Sequence, residues 1–172
     1  MANAVTRREF LKLTGATATG LGAGLAAPAS AATAAADAGR ATLPYPHKRV
    51  GFASKLAVNT PVNFTFPDAA SPCVLLKMGS AVEGGVGPNA DIVAYSTMCT
   101  HMGCPLAYDP AEKIFKCGCH YSMFDAEKGG QMICGQATED LPRIVLNFNA
   151  KDGSVSAVAI DGLLYGRQAN IL

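Results

Sequence analysis

Short apolar runs separated by turn residues dominate the chain from position 62 onward. Five of them have the length of β-strands: residues 62–66, 73–77, 91–96, 143–148 and 154–160. The first alternates apolar and polar residues with a period of two, which is typical of a half-buried strand. Beyond residue 31, no stretch keeps the apolar period of about 3.6 residues that marks a helix. The pattern predicts an all-β domain, built as a small antiparallel sandwich or partly open barrel.

The first 31 residues have the features of an export signal and not of a folded domain. Residues 6–12 read TRREFLK, which is the twin-arginine pattern S/T-R-R-x-F-L-K. The weakly apolar stretch at 13–27 contains four glycines and is too polar for a permanent membrane anchor. We expect cleavage after Ala31 and export of the folded protein to the periplasm by the twin-arginine machinery. The alternatives are a basic, alanine-rich disordered tail and a signal that is retained uncleaved as a membrane anchor.

The rest of the chain divides into an arm and a folded domain. Residues 32–60 are first alanine-rich and then proline-rich, which predicts an extended arm or linker with little structure of its own. The domain is expected at 61–172. Within it, residues 97–124 hold four of the six cysteines and two of the three histidines. This concentration predicts a metal-binding subdomain inserted between core strands, with residues 113–116 as one of its strands.

Composition and charge narrow the class of protein. Hydrophobic residues make up 49% of the 172 residues and charged residues 16%, so the chain can bury a core and is not a disordered protein. The formal net charge is +1, and no basic patch or long charge run is present. We therefore expect no nucleic-acid partner.

Two six-residue segments carry the candidate chemistry. The first box is residues 99–104 (CTHMGC), and the second box is residues 117–122 (CGCHYS). A zinc site of two cysteines and two histidines would leave two cysteines without a role. An iron–sulfur cluster held by four cysteines would leave both histidines without one. A mixed cysteine and histidine iron–sulfur site is the third interpretation, and it uses all six residues.

At every defined position the boxes match the patterns C-x-H-x-G-C and C-x-C-H-x-S, and in this the chain resembles the Rieske family. The resemblance implies a Rieske-type fold with a small cluster-binding subdomain and one [2Fe–2S] cluster. It implies Cys99 and Cys117 as the ligands of one iron. It implies His101 and His120 as the ligands of the outer iron.

The resemblance also implies roles for residues around the cluster. Cys104 and Cys119 correspond to a disulfide that links the two boxes. Ser122 corresponds to a hydroxyl that donates to a cluster sulfide, which raises the reduction potential. High-potential members often carry a tyrosine two residues later, where this chain has Phe124, so we expect a lower potential. Residues 134–138 correspond to a segment that covers the cluster, although they lack the proline that is common there.

Four residues outside the ligand set have simpler interpretations. Cys73 lies in an apolar run and is expected to be a buried, inert thiol. Cys134 is expected to be buried and uninvolved, and the sequence leaves a bridge between these two cysteines open. His47 is expected to be exposed and to bind no metal. Met102 is expected to be an exposed apolar contact where a redox partner docks.

The first box with the proline after it, and three segments beyond the second box, make the chain similar to the small subunit of arsenite oxidase: residues 99–105, 124–135, 141–143 and 161–172. This resemblance implies a periplasmic electron-transfer subunit in a heterodimer with a large molybdopterin subunit, which carries its own iron–sulfur cluster and oxidises arsenite. The small subunit takes electrons one at a time and passes them to a c-type cytochrome or a copper protein, with no catalytic residue of its own. The alternatives are a stand-alone periplasmic Rieske carrier, the Rieske subunit of a cytochrome bc1-type complex and a zinc-stabilised binding module.

Overall fold

The computed structural model describes residues 44–171, so the predicted signal and residues 32–43 of the predicted arm lie outside the described residues. Within the described residues, ten strands follow one another, with one short 3-10 turn at Ala53–Lys55: β1 Lys48–Phe52, β2 Val62–Thr65, β3 Pro72–Lys77, β4 Ile92–Ser96, β5 Leu106–Asp109, β6 Ile114–Cys117, β7 Met123–Asp125, β8 Gln131–Cys134, β9 Arg143–Asn149 and β10 Ser154–Asp161. Residues 44–171 contain no α-helix, and the all-β prediction is confirmed. This part of the chain also contains no helix that is long and apolar enough to span a membrane.

The strands form two antiparallel sheets. The six-stranded sheet has the order β1-β10-β9-β4-β3-β2, and the four-stranded sheet has the order β5-β6-β7-β8. The chain leaves the large sheet after Ser96, builds the small sheet and returns at Arg143. The small sheet is therefore an insertion between two neighbouring strands of the large one, as the sequence predicts for the metal-binding subdomain.

Strands β3 and β4 are buried on both faces, which is why their sequences are continuous apolar runs. Leu75 and Ala94 point to one side, into a first core formed within the six-stranded sheet. Leu76 and Tyr95 point to the other side, into a second core shared with the four-stranded sheet. β3 and β4 thus contribute to both cores and hold both halves of the domain together.

The second core contains the two cysteines that the Rieske resemblance assigns to one iron, Cys99 and Cys117. Tyr95 and Phe115 pack edge to face in it, with ring centroids 5.5 Å apart. The Tyr95 hydroxyl donates to the carbonyl of Ala126 over 2.8 Å, so its polar atom is satisfied inside the core. The candidate site is consequently built on a packed hydrophobic layer and not on a mobile surface loop.

The predicted boundary between arm and domain at residue 60 is wrong, because the predicted arm contains the first strand of the domain. β1 pairs antiparallel with β10, and Ala53 and Leu56 are buried in the first core. The sequence of β1, KRVGF, is short and carries a glycine, so it has no clear strand pattern. It is a strand because β10 supplies its hydrogen-bond partners from the far end of the chain.

The predicted subdomain limit at residue 124 is also too early. The predicted strand at 113–116 is confirmed as β6, but residue 124 lies inside β7, and the small sheet continues through β8 to Cys134. β7 has only three residues, and β8 has a single half-buried residue, Met132. Neither strand is long enough to show a recognisable alternation.

Candidate metal centre

The first box closes into a tight loop held by its own backbone. The amide of Cys99 donates to the Cys104 carbonyl over 2.8 Å, and the amide of Gly103 donates to the Cys99 carbonyl over 2.8 Å. Gly103 has a φ of 70°. Glycine adopts this left-handed conformation without steric cost, so its place in the box has a structural reason.

The second box repeats this hydrogen-bond pattern between β6 and β7. The amide of Cys117 donates to the Ser122 carbonyl over 2.9 Å, and the amide of Tyr121 donates to the Cys117 carbonyl over 3.1 Å. Tyr121 thus takes the place that Gly103 has in the first box, and its φ is 61°. A left-handed residue with a side chain costs roughly 1–2 kcal/mol. The second box therefore stores backbone strain at a residue whose side chain is 74% exposed.

The two thiols assigned to one iron lie together and out of water. Cys99 is 1% exposed and Cys117 is 3% exposed, and their thiol groups share a hydrogen bond. Burial raises the pKa of the Cys99 thiol. Burial also acts on Cys117 and is the largest single influence, but the hydrogen bonds from the backbone amides of Cys119 and His120 and from the Cys99 thiol together outweigh it and lower the pKa of this thiol. Amides directed at a sulfur stabilise a thiolate, which is the form that binds a metal.

The two histidines lie edge to face at the outer side of the boxes. The ring centroids of His101 and His120 are 4.7 Å apart, and the ring planes meet at 86°. The His101 Nδ1 atom is buried and has no hydrogen-bond partner among residues 44–171. A buried imidazole nitrogen without a partner is costly, so this atom is placed for a metal bond. His120 is exposed, and the centre therefore reaches the surface there.

Cys104 and Cys119 form the disulfide bond that the Rieske resemblance implies. Their sulfurs and that of Cys117 lie within 4.8 Å of one another. Because disulfide sulfurs are not thiolate ligands, the boxes no longer hold enough thiols for a four-cysteine cluster. The remaining donors are two thiols and two imidazoles. This set fits a Rieske cluster, and by donor type it also fits tetrahedral zinc.

Ser122 is fully buried beside the boxes, and the segment after β8 orients its hydroxyl. The amides of Gln136 and Ala137 donate to Ser122 Oγ over 3.1 and 3.0 Å. These bonds occupy both lone pairs of the hydroxyl, so its proton is free to donate to another group. Gly135 has a φ of 104°, and any side chain there would overlap the Ser122 backbone. Residues 134–138 thus pack against the second box, as the resemblance implies for the covering segment.

Two contacts of the first box were not predicted from the sequence. Thr100 Oγ1 donates to the carbonyl of Glu139 over 2.8 Å, which links the box to the residue that follows the covering segment. The ring of Tyr165, near the C-terminus, lies against Gly103. No local pattern signals either contact, because the partners are far apart in the chain and the contacts depend on the packing of the two sheets.

Three further predictions concern residues around the boxes. Phe124 is fully buried in the second core, and its ring offers no donor to the site. Met102 is 59% exposed, as expected of a contact at the surface. His47 is exposed and lies before β1, as expected.

The two remaining cysteines differ in their surroundings. Cys73 is buried as predicted, and burial raises the pKa of its thiol to about 12. The predicted burial of Cys134 is wrong, because β8 is an edge strand and leaves this residue exposed. Both are free thiols, so the bridge between them that the sequence left open is not formed.

Comparison with known proteins identifies the family. The sequence model described as "Rieske [2Fe-2S] domain" matches residues 48–145, from the start of β1 into β9. The iodate reductase subunit IdrB of Denitromonas iodatirespirans is 40% identical over 129 residues, which cover 73% of this chain and 69% of that protein. The subunit of the same name from Pseudomonas sp. (strain SCT) is 38% identical over 125 residues, which cover 71% of this chain and 64% of that protein.

A solved structure shows the same fold. The soluble domain of the Rieske protein II from Sulfolobus acidocaldarius has a TM-score of 0.64 to this chain at 21% identity, and the match covers 73% of this chain and 83% of that one. The family match spans both boxes, and it decides between iron and zinc where the donor types alone did not. The chain therefore belongs to the Rieske [2Fe–2S] domain family and carries one [2Fe–2S] cluster.

Proposed function

We propose that this chain is the electron-transfer subunit of a two-subunit oxidoreductase. Its ligands are Cys99 and Cys117 on one iron, and His101 and His120 on the other. Three observations support this ligand set. The thiols of Cys99 and Cys117 are buried and in contact, and the Nδ1 atom of His101 has no hydrogen-bond partner among residues 44–171. The other two box cysteines form a disulfide bond and are not available as ligands. The cluster supplies the transfer of one electron at a time. Neutral imidazoles in place of two thiolates make it less negative, so it accepts an electron more easily than a four-cysteine cluster.

The partner in this proposal is a large molybdopterin subunit, with its own iron–sulfur cluster, that oxidises arsenite to arsenate. The observation that carries it is the resemblance of residues 124–135, 141–143 and 161–172 to the arsenite oxidase small subunit. Residues from all three segments border one groove of about 900 Å³, which reaches Thr100 in the first box. Arsenite oxidation releases two electrons, so a one-electron carrier held by these ligands would serve twice for each substrate molecule. The oxidation itself takes place in the large subunit.

The surface around His120 suits a transient electron acceptor. Tyr121 is 74% exposed and Met102 is 59% exposed, and each follows a histidine of the metal centre in the chain. Exposed apolar side chains of this kind exclude water from a brief contact between two redox proteins. We assign this face to a soluble c-type cytochrome or a copper protein.

The periplasm is the proposed location, and the support is the twin-arginine pattern in residues 6–12. Replacement of Arg7 and Arg8 by lysine tests it. The variant precursor should stay inside the cell in folded form, whereas the wild-type protein appears in the periplasmic fraction after cleavage near Ala31. Normal export of the variant would contradict the proposed route.

The iodate reductase relatives favour a second candidate, in which this chain is the Rieske subunit of an iodate reductase. Electrons would then flow the other way, from the cytochrome through the cluster to the large subunit. The ligands and the exposed face would serve either direction, because the potentials of the partners decide the direction of transfer.

The deciding experiment uses the natively exported protein, with Cys117→Ser as the control that lacks a cluster ligand. Low-temperature EPR of the dithionite-reduced protein should show a rhombic signal with an average g below the free-electron value. A large subunit should co-purify, and arsenite should reduce the cluster of the oxidised complex. A complex that reduces iodate and does not react with arsenite would support the second candidate. A Rieske signal without a large subunit would indicate a free carrier, and co-purification of a cytochrome b would indicate a bc1-type complex.

A further inference from the structure

Residues 162–170 form a strap that is anchored to the six-stranded sheet. Leu164 is buried in the first core, and its amide donates to Asn170 Oδ1 over 2.9 Å. The amide group of Asn170 donates to the carbonyl of Gly162 over 2.8 Å and to the hydroxyl of Tyr45 over 3.1 Å. Because these bonds join the two ends of the strap, the strap has one defined shape.

Arg167 supplies a second anchor. Its guanidinium pairs with the Asp68 carboxylate over 2.8 Å and donates to Ser71 Oγ over 2.7 Å, in the loop between β2 and β3. The hydrogen bond from Arg167 lowers the pKa of Asp68. The Arg167 amide also donates to the Leu164 carbonyl over 3.2 Å, which closes a four-residue turn. The third residue of this turn is Gly166, with a φ of 76°, a conformation that suits glycine at that position.

The remaining residue of the turn, Tyr165, contacts the metal centre. A Cβ built on Gly103 would lie 2.5 and 2.6 Å from two ring carbons of Tyr165, so the ring lies directly against the glycine backbone. Gly103 is two residues from the ligand His101 and is adjacent to the disulfide cysteine Cys104. Tyr165 also borders the groove of about 900 Å³ that reaches Thr100.

We propose that Tyr165 is a positioning residue of the metal centre, which holds the first box against the six-stranded sheet. The disulfide joins the two boxes to each other, and the covering segment joins them to the small sheet. The strap adds a link between the large sheet and the first box, which is the box that contains His101. Without the ring, the groove widens at the first box. Water then reaches the box, and the loop adopts more than one arrangement.

The test compares the holoprotein of the wild type with three variants: Tyr165→Ala, Tyr165→Phe and Leu163→Ala. Tyr165→Phe keeps the ring, and Leu163→Ala changes a neighbouring strap residue that is 51% exposed. Tyr165→Ala should release iron to a chelator roughly tenfold faster, which corresponds to about 1.4 kcal/mol. It should also broaden the EPR lines of the reduced cluster, because the cluster then occurs in several geometries. The other two variants should match the wild type in both measurements.

Hydrogen exchange separates a positioning role from a general loss of stability. In Tyr165→Ala, exchange should rise in residues 98–106 and stay unchanged in β9 and β10 of the large sheet. An equal rise in both regions would overturn the proposal, because the ring would then only stabilise the fold. Wild-type iron release in Tyr165→Ala would overturn it as well, as would a Tyr165→Phe variant that behaves like Tyr165→Ala.

A second variant keeps the proposal testable if Tyr165→Ala does not fold. Arg167→Ala removes the anchor to Asp68 but keeps the Tyr165 side chain, which is then held less firmly. It should raise iron release and line width in the same direction, but by less than Tyr165→Ala. Wild-type values for both quantities in Arg167→Ala would count against the strap as the device that holds the ring.

Discussion

Replacement of Ser122 by alanine is expected to lower the reduction potential of the cluster while the cluster stays assembled. The oxygen of the Ser122 hydroxyl accepts hydrogen bonds from the amides of Gln136 and Ala137, so its proton is free to donate a hydrogen bond to another group. A reduced cluster carries one more negative charge than an oxidised one, and it therefore accepts this hydrogen bond more strongly. Loss of the donor destabilises the reduced state more than the oxidised state, and the potential falls.

The size of the shift follows from the free energy of one charge-assisted hydrogen bond. Such a bond contributes about 1.5–3 kcal/mol. For a one-electron couple a tenfold change in the equilibrium constant is about 59 mV, so this free energy corresponds to roughly 65–130 mV. The lower end is expected if the bond already exists in the oxidised state, because only the difference between the two states changes the potential.

The same substitution should also lower the stability of the fold. Ala137 is 2% exposed, and without the Ser122 hydroxyl its amide loses its hydrogen-bond acceptor. An unsatisfied buried donor costs about 1–3 kcal/mol. Denaturant unfolding should therefore show a loss of about this size, separate from the shift in potential.

The potential is measured by voltammetry or by EPR-monitored redox titration on wild type, Ser122→Ala and the control Ser154→Ala. Ser154 is also a buried serine, but it lies on β10 of the large sheet. The control should keep the wild-type potential. A shift below about 15 mV in Ser122→Ala with full iron content would refute the assigned hydrogen bond, as would an equal shift in the control.

Three further predictions rest on single sites of the domain. Phe124→Tyr, measured by the same titration, should raise the potential by roughly 20–65 mV if the added hydroxyl reaches a ligand sulfur; an unchanged potential would show that the ring does not point there. The double substitution Cys104→Ser and Cys119→Ser removes the disulfide between residues that are separated by 15 positions. It should lower the free energy of unfolding by about 3 kcal/mol and speed up cluster loss. A stable cluster with a large shift in potential would contradict this structural role. At about pH 8, iodoacetamide should label the exposed Cys134 and not Cys73, as detected by mass spectrometry. Cys73 should stay unlabelled because its pKa of about 12 leaves almost no thiolate. Raising the pH to about 10 should still not label Cys73 in the folded protein.

Local sequence patterns predicted strands and burial correctly where both depend on neighbouring residues in the chain. β3 and β4 were predictable because burial on both faces requires continuous apolar runs. β1, β5, β7 and β8 were missed because they are short, and because β1, β5 and β8 are edge strands that depend on a single neighbouring strand. The same edge position explains why Cys134 is exposed although its sequence context predicted burial.

The all-β class and the two boxes could be predicted from the amino-acid sequence, because strand alternation and ligand spacing are properties of a few consecutive residues. The groups that surround the boxes are set by the folded arrangement: the amide of Ala137 donates to Ser122, Thr100 donates to the carbonyl of Glu139, and the ring of Tyr165 lies against the first box. Each of these contacts joins segments that are distant in the chain. They form because the packing of two sheets against the shared strands β3 and β4 brings those segments together, and no local pattern encodes that packing.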